Sequence, residues 1–275
     1  MHLICGKKTL DLSRPRIMGI VNVTPDSFSD GGRHATVSSA VEHAMQLISD
    51  GADIIDIGGE STRPGAAPVE IDEEMARIIP VIRELKDGSA IISVDTRHAE
   101  VMQAALDAGA DMLNDVNALQ GPGAVETAIG SKAAICLMHM HGEPKTMQQT
   151  IYFDDVIQDV YTFLQQRIAV LTQEGMDKER MLIDPGFGFG KTLQHNLQLL
   201  KHLDRFADLN LPILVGISRK TMLGALTGRG VSEREAAGLA ANLYALQRGA
   251  HIFRVHDVAG LRDGLIVWKA LEDTQ

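Results

Sequence analysis

The feature that most constrains the fold is an event that recurs along the whole chain. A short apolar run, long enough for one buried strand, ends on a polar side chain and gives way to a helical segment. It occurs eight times in 275 residues. Ile17-Met18-Gly19-Ile20-Val21 empties into Asn22-Val23-Thr24-Pro25-Asp26-Ser27-Phe28-Ser29-Asp30-Gly31-Gly32, and Asp53-Ile54-Ile55-Asp56-Ile57-Gly58-Gly59 into Glu60-Ser61-Thr62-Arg63-Pro64-Gly65. The run from Ala90 to Val94 ends on Asp95, Met112-Leu113 on Asn114-Asp115, the run 133–138 on His139-Met140-His141, and Met181-Leu182-Ile183 on Asp184. Ile213 to Gly216 leads to Ser218-Arg219-Lys220, and Ile252-Phe253 to Arg254-Val255-His256-Asp257.

The intervening segments carry apolar residues at helical spacing, as in Val37, Ala40, Val41, Ala44, Leu47 and Ile48, or Val156, Val160, Phe163, Leu164, Ile168 and Leu171. Three helix-to-strand junctions repeat the same pair: Gly51-Ala52, Gly109-Ala110 and Gly249-Ala250. Strands that alternate with helices, with no Pro- or Ser-rich linker between them, predict a parallel sheet with helical crossovers. The number of units and a length close to the roughly 250 residues typical of such barrels predict one (β/α)8 TIM-barrel domain over 1–275. No Gly-x-Gly-x-x-Gly follows the first strand, as an open dinucleotide-binding sheet would require. Residues 3–12 alternate around Gly6-Lys7-Lys8 and predict a lead-in hairpin that could cover the barrel's bottom.

A net charge of −10 with both signs interspersed argues against nucleic acid or an anionic membrane as partner, so an anionic ligand must be held by a few placed basic residues. The first residues form too short an apolar run for a signal peptide, and no stretch approaches the ~18 apolar residues of a membrane span. The expectation is a soluble cytoplasmic protein, with Cys136, inside an apolar run, a core residue rather than a nucleophile.

In a barrel all the strand ends converge on one rim, which would gather the scattered polar residues into one site. Arg254 and His256 flank Val255 and leave an extended strand on the same face. With Arg63 they suit a phosphate or diphosphate, since guanidinium groups meet its oxygens bidentately; salt bridges on a polar rim are the alternative. Asp95, Asn114 and Asp184 need partners, either Lys220 or a heterocycle whose amidine-like edge offers adjacent N–H donors. General carboxylates of any barrel enzyme remain the competing reading. Asp184-Pro185-Gly186-Phe187-Gly188-Phe189-Gly190-Lys191 suggests a tight backbone with an aromatic wall and is one residue short of a P-loop. Ser218-Arg219-Lys220-Thr221 starts a helix whose free N–H groups could hold a carboxylate. His139 and His141 share a face, but no cysteine or carboxylate pair nearby supports a transition-metal site.

Taken together, the loop 22–32, the 58–65 segment, Leu137-Met138-His139-Met140, the 184–191 segment, Gly216-Ile217-Ser218-Arg219-Lys220 and Arg254-Val255-His256-Asp257 resemble the bacterial dihydropteroate synthase family almost from end to end. The resemblance implies a (β/α)8 barrel, usually a homodimer through its last helices, that joins 6-hydroxymethyl-7,8-dihydropterin diphosphate to 4-aminobenzoate. By matching position it implies that Asp95, Asn114, Asp184 and Lys220 hold the pterin, with Met138 and Phe189 as pocket wall and Gly216 beside them. It further implies that Asn22, with Mg2+, and Arg63, Arg254 and His256 hold the diphosphate, while Phe28, Thr62, Pro64, Ser218 and Lys220 shape the aminobenzoate site. A pterin-dependent methyltransferase and a non-catalytic pterin-binding module are the alternatives. Residues 23–32 are expected to form a lid that closes over the diphosphate and excludes water.

Overall fold

The computed structural model describes residues 1–24, 32–61, 68–142, 147 and 151–274, with side chains of 32–35 left aside. The chain opens with an antiparallel hairpin, β1 (His2–Cys5) and β2 (Lys8–Asp11), turned at Gly6 with φ +63°. Eight strands then alternate with helices: β3 (Arg16–Asn22), α1 (Gly32–Asp50), β4 (Ile54–Gly58), α2 (Ile71–Leu85), β5 (Ile91–Asp95), α3 (Ala99–Ala108), β6 (Met112–Asp115) and α4 (Ala124–Gly130). The second half continues with β7 (Ala134–Met138), α5 (Val156–Gln173), β8 (Met181–Asp184), α6 (Leu193–Lys201), β9 (Leu214–Val215), α7 (Thr221–Thr227), α8 (Glu235–Gln247), β10 (Ile252–Val255) and α9 (Val258–Glu272).

All the strand pairs in the eight-stranded sheet are parallel, in the order β8-β7-β6-β5-β4-β3-β10-β9. A parallel bridge between Ile183 and Ile213, with Ile183 N–H donating to the Pro212 carbonyl at 2.9 Å, joins the two ends of that order. The sheet thereby closes into the barrel that the alternation of strands and helices predicts.

The repeated Gly-Ala pair has a local cause. Gly51, Gly109 and Gly249 take φ of +110°, +116° and +91°, the left-handed turn that ends a helix, and the following alanine N–H reaches back five residues to Leu47, Ala105 and Ala245. This is a Schellman stop, which satisfies a helix-end carbonyl and aims the chain into the next strand. The helical stretch after β8 divides at His202, whose φ of −113° leaves helical space, into α6 and the 3-10 turn Leu203–Leu209.

Two apolar layers hold the barrel. The outer one packs the sheet against the helices, through residues such as Ile55, Ile57, Ile78, Val101, Leu137, Leu164 and Phe253. The inner one joins Met18, Ile54, Ile91, Met112, Ala134, Leu182, Leu214 and Ile252, near the strand starts, to Leu3, Cys5, Leu10 and Leu12 of the hairpin. The hairpin is therefore the plug of the barrel's lower end. Lys8 Nζ fastens it there, donating to Asp111 at 2.9 Å and to the Ala90 carbonyl at 2.7 Å. Burying one such leucine stabilises by about 1.5–3 kcal/mol.

Candidate active site

Above the inner apolar layer the strands change character. Asp56 on β4 and Ser93 on β5 are fully buried, and strand periodicity places Asp56 on the same face as Ile54. A buried carboxylate needs partners, and Asp56 has three: Ser93 Oγ donates at 2.6 Å, Asn114 Nδ2 at 3.0 Å and Arg254 Nε at 2.6 Å. Arg254, on β10, also donates through Nη2 to Asp95 at 2.8 Å. Burial disfavours the guanidinium charge, yet Asp56 and Asp95 outweigh it and raise the Arg254 pKa. Burial raises the pKa of Asp95, against the pull of Arg254.

Asp184 at the end of β8 is buried; its Oδ1 accepts from Gly186 N at 2.7 Å, and burial raises its pKa. Lys220, from the loop after β9, lies with Nζ 4.0 Å from the centre of the Phe189 ring, and burial pushes its pKa down to about 8 despite attraction from Asp184 and Asp95. Phe189 packs with Met138, Val116 and Met147 in a small apolar cluster. Gly216 keeps the interior open: a Cβ there would stand 3.9 Å from Arg254 Cβ and 4.0 Å from Asp184 Oδ2.

The Ser218-Arg219-Lys220 turn is held in shape. Arg219 adopts φ +59°, costly for a side-chain-bearing residue, and its carbonyl accepts from Arg234 Nη1 at 3.0 Å while its guanidinium pairs with Glu235 at 3.2 Å. Ser218 Oγ lies 3.0 Å from His256 Nδ1 and accepts from His256 N at 3.2 Å, which couples the ends of β9 and β10. Asn22 sits half-buried at the end of β3, in register with Gly58, which in turn pairs with Asp95.

Asn22, Asp95, Asn114, Met138, Asp184, Phe189, Gly216, Ser218, Lys220, Arg254 and His256 all stand at or just beyond the C-terminal ends of barrel strands. Phe28, Thr62, Arg63 and Pro64 fall outside the described residues, as does most of the expected lid 23–32. Arg254 differs from its expected setting in one respect: its bonded partners are acids, Asp56 and Asp95, rather than other members of a basic cluster. Sequence reasoning missed Asp56, whose signal was a carboxylate between isoleucines in mid-strand, and Lys191, a buried lysine closing the glycine-rich turn.

Among the described residues, Glu60, Glu74 and His98 place potential metal-ligating atoms within 4.8 Å of one another. Arg97 already forks onto Glu60, through Nε at 3.2 Å and Nη2 at 3.3 Å, so positive charge is supplied there by the chain itself.

Residues 18–256 match the model of the family described as pterin binding enzyme. Dihydropteroate synthase of Escherichia coli K12 is 51% identical over 259 residues, 94% of this chain and 92% of that protein. The Xanthomonas albilineans dihydropteroate synthase with 4-aminobenzoic acid superposes with a TM-score of 0.94 at 51% identity, over 100% of this chain and 99% of that one. The same organism's enzyme in complex with 7,8-dihydropteroate gives a TM-score of 0.91 at 48% identity, over 100% of both chains. The barrel, its polar interior and these likenesses agree: the chain belongs to the pterin binding enzymes and, among them, to the dihydropteroate synthase family.

Proposed function

We propose that this chain condenses 6-hydroxymethyl-7,8-dihydropterin diphosphate with 4-aminobenzoate, releasing diphosphate and 7,8-dihydropteroate for folate biosynthesis. The observation that carries this reading is the interior floor of Asp56, Asp95 and Asn114, tied together through Asp56 and Arg254, with Asp184 across Gly216 from Arg254 and Lys220 over Phe189 on one side. A pterin has an apolar face for Phe189 and Met138, and an amidine-like edge of adjacent N–H donors for a buried carboxylate such as Asp184 or Asp95. Burial favours the neutral form of both carboxylates, a form suited to a ring that both donates and accepts.

In the reaction the bond between the pterin methylene carbon and the diphosphate oxygen breaks, and its electron pair leaves with the diphosphate. The methylene carbon, electron-deficient but conjugated with the pterin, is attacked by the amine nitrogen of aminobenzoate, which then loses a proton. Acidic residues around an electron-rich pterin favour such an SN1-like path. Arg63, Arg254 and His256 are assigned to the diphosphate, where charge develops as the bond breaks, and Ser218 holds His256 in orientation. Phe28, Thr62, Pro64 and Ser218, with Lys220, are assigned to aminobenzoate.

Mg2+ suits the same end of the barrel. Asn22 offers an amide oxygen, a donor that a hard cation accepts, and Gly58 beside it adds no side chain to fill the space. Bound there, the ion would neutralise leaving-group charge. We further read the chain as one domain and as a cytoplasmic homodimer. Ile266, Val267 and Leu271 on α9 are 57%, 60% and 68% exposed, an apolar strip suited to a second copy. No described helix is long and apolar enough to cross a membrane.

Direct measurement of diphosphate release, with each substrate omitted in turn, tests the reaction. Release that requires both substrates and Mg2+ is expected. Pterin binding without turnover would instead identify a binding module, and methyl transfer a methyltransferase. Arg254→Ala with undiminished kcat/KM would overturn the diphosphate assignment.

A further inference from the structure

Lys191 is a buried cation that the proposed reaction does not use, only 3% exposed at the end of the glycine-rich turn. Its Nζ lies 2.9 Å from His139 Nδ1, 2.9 Å from the Gly186 carbonyl oxygen, 3.1 Å from that of Phe189 and 3.3 Å from that of His139. Every one of these is an acceptor, once the imidazole proton sits on Nε2. An ammonium, with three donors and no lone pair, matches such a ring, whereas a neutral amine would turn its lone pair toward one of them. Burial acts in the opposite direction and pulls Lys191 down to about 7, with Asp184 supporting the charge and Lys220 opposing it. His139 is kept neutral: burial, then repulsion from Lys191 and His141, lowers its pKa to about 2. Its ring is wedged edge-on against Phe163, with centroids 5.0 Å apart.

The turn needs such an anchor because its backbone is unusual. Gly186, Gly188 and Gly190 have φ of +73°, +82° and +62°, and a Cβ at Gly186 would fall 1.9 Å from the His139 carbonyl oxygen. The turn is thus pressed directly on the chain leaving β7. Its N–H groups are taken by Asp184, which accepts from Gly186, and by Asn196, whose Oδ1 accepts from Gly188 at 2.7 Å. Its carbonyls at Gly186 and Phe189 are taken by Lys191.

We propose that Lys191 is a positioning residue for the pterin subsite, its ammonium locking the 184–190 turn against the end of β7 so that Asp184 and Phe189 face the pterin in one geometry. This rests on the reading that Asp184 and Phe189 contact the pterin. Lys191 acts on them through the carbonyls of Gly186 and Phe189.

Steady-state kinetics of the full chain, varying each substrate, for Lys191→Met, Asp184→Asn and the double variant, test the proposal. Lys191→Met is expected to raise KM for the pterin diphosphate roughly 10–100-fold, by analogy with the loss of a residue that orients a metal ligand. KM for aminobenzoate is expected to rise clearly less, because Lys220, which rests on Phe189, is the one residue the two subsites share. In the Asp184→Asn background the effect of Lys191→Met should shrink, since both act on one contact. Lys191→Gln, which keeps two amide N–H donors, should give an intermediate KM, and it carries the test if Lys191→Met does not fold. A folded Lys191 variant with unchanged pterin KM, with equal rises for both substrates, or with effects that simply multiply in the double variant would overturn the proposal. If Asp184→Asn alone leaves the pterin KM unchanged, it is the assignment of Asp184 to the pterin that fails.

Discussion

Arg254 and Asp56, 198 positions apart in the chain, meet at 2.6 Å inside the barrel. The pair fixes the floor of the site from opposite halves of the sequence. Mutual attraction of two buried charges roughly repays their desolvation, so the pair's importance lies in what its rupture leaves behind. Asp56→Ala would strand Arg254, Ser93 and Asn114 without their shared acceptor. Chemical denaturation should show a loss of about 3–5 kcal/mol, and Asp56→Ala combined with Arg254→Met should lose clearly less than the sum of the single changes.

Glu74 predicts a pH dependence of stability. It is fully buried, and burial raises its pKa to about 7 against the opposing pull of the Thr96 hydroxyl and of Arg97 and Arg77. Its pKa in the folded state exceeds its ordinary value of 4.5, so its contribution to stability is fully present below that value and is lost as pH rises through about 7. Thermal melts between pH 4 and pH 8 should contain this falling component, up to about 3 kcal/mol. Glu74→Gln should remove it and be more stable than the parent at pH 8, provided that the amide fits the same space.

Gly186 has no tolerance for a side chain. Both its φ of +73° and the 1.9 Å approach of a Cβ to the His139 carbonyl oxygen oppose substitution. Gly186→Ala should cost about 3 kcal/mol or more and should weaken pterin binding as the turn shifts. Gly175→Ala makes a useful control, having a similar φ of +94° but open space around the Cβ, and should cost about 1 kcal/mol with no effect on binding.

The plug at the bottom of the barrel separates stability from catalysis. Leu3 is fully buried among Met18, Ile54 and Ile252, at the strand starts rather than the strand ends. Leu3→Ala should therefore lower stability by about 2–5 kcal/mol in urea denaturation. Under conditions where it remains folded, kcat/KM for either substrate should stay within about 2-fold of the parent.

Ser218→Ala tests the link between the last two strand ends. It removes the oxygen that lies 3.0 Å from His256 Nδ1 and accepts from His256 N. If Ser218 orients His256 toward the leaving diphosphate, kcat should fall about 10-fold while the pterin KM changes little. Equal losses in kcat/KM for both substrates with kcat unchanged would place Ser218 in binding alone.

What the sequence determined by itself was the repeating unit and which polar residues follow each apolar run. Short apolar runs ending on polar side chains can be buried on both faces only in a parallel sheet, and a Gly-Ala stop after a helix enforces the return to the next strand at Gly51, Gly109 and Gly249. Those are local properties, written in spacing and residue type. Only the tertiary structure decided the partners. Asp56 reads in sequence as an oddity between isoleucines, and becomes the acceptor for Ser93, Asn114 and Arg254 only when strands from distant parts of the chain lie side by side. Arg254 reads as a free phosphate ligand until closure sets it between two carboxylates. Lys191 reads as the end of a motif, and its function as an ammonium ringed by acceptors depends on His139, 52 residues earlier. Burial turns each of these encounters into an obligation to pair, and burial is a property of the closed barrel rather than of any one segment.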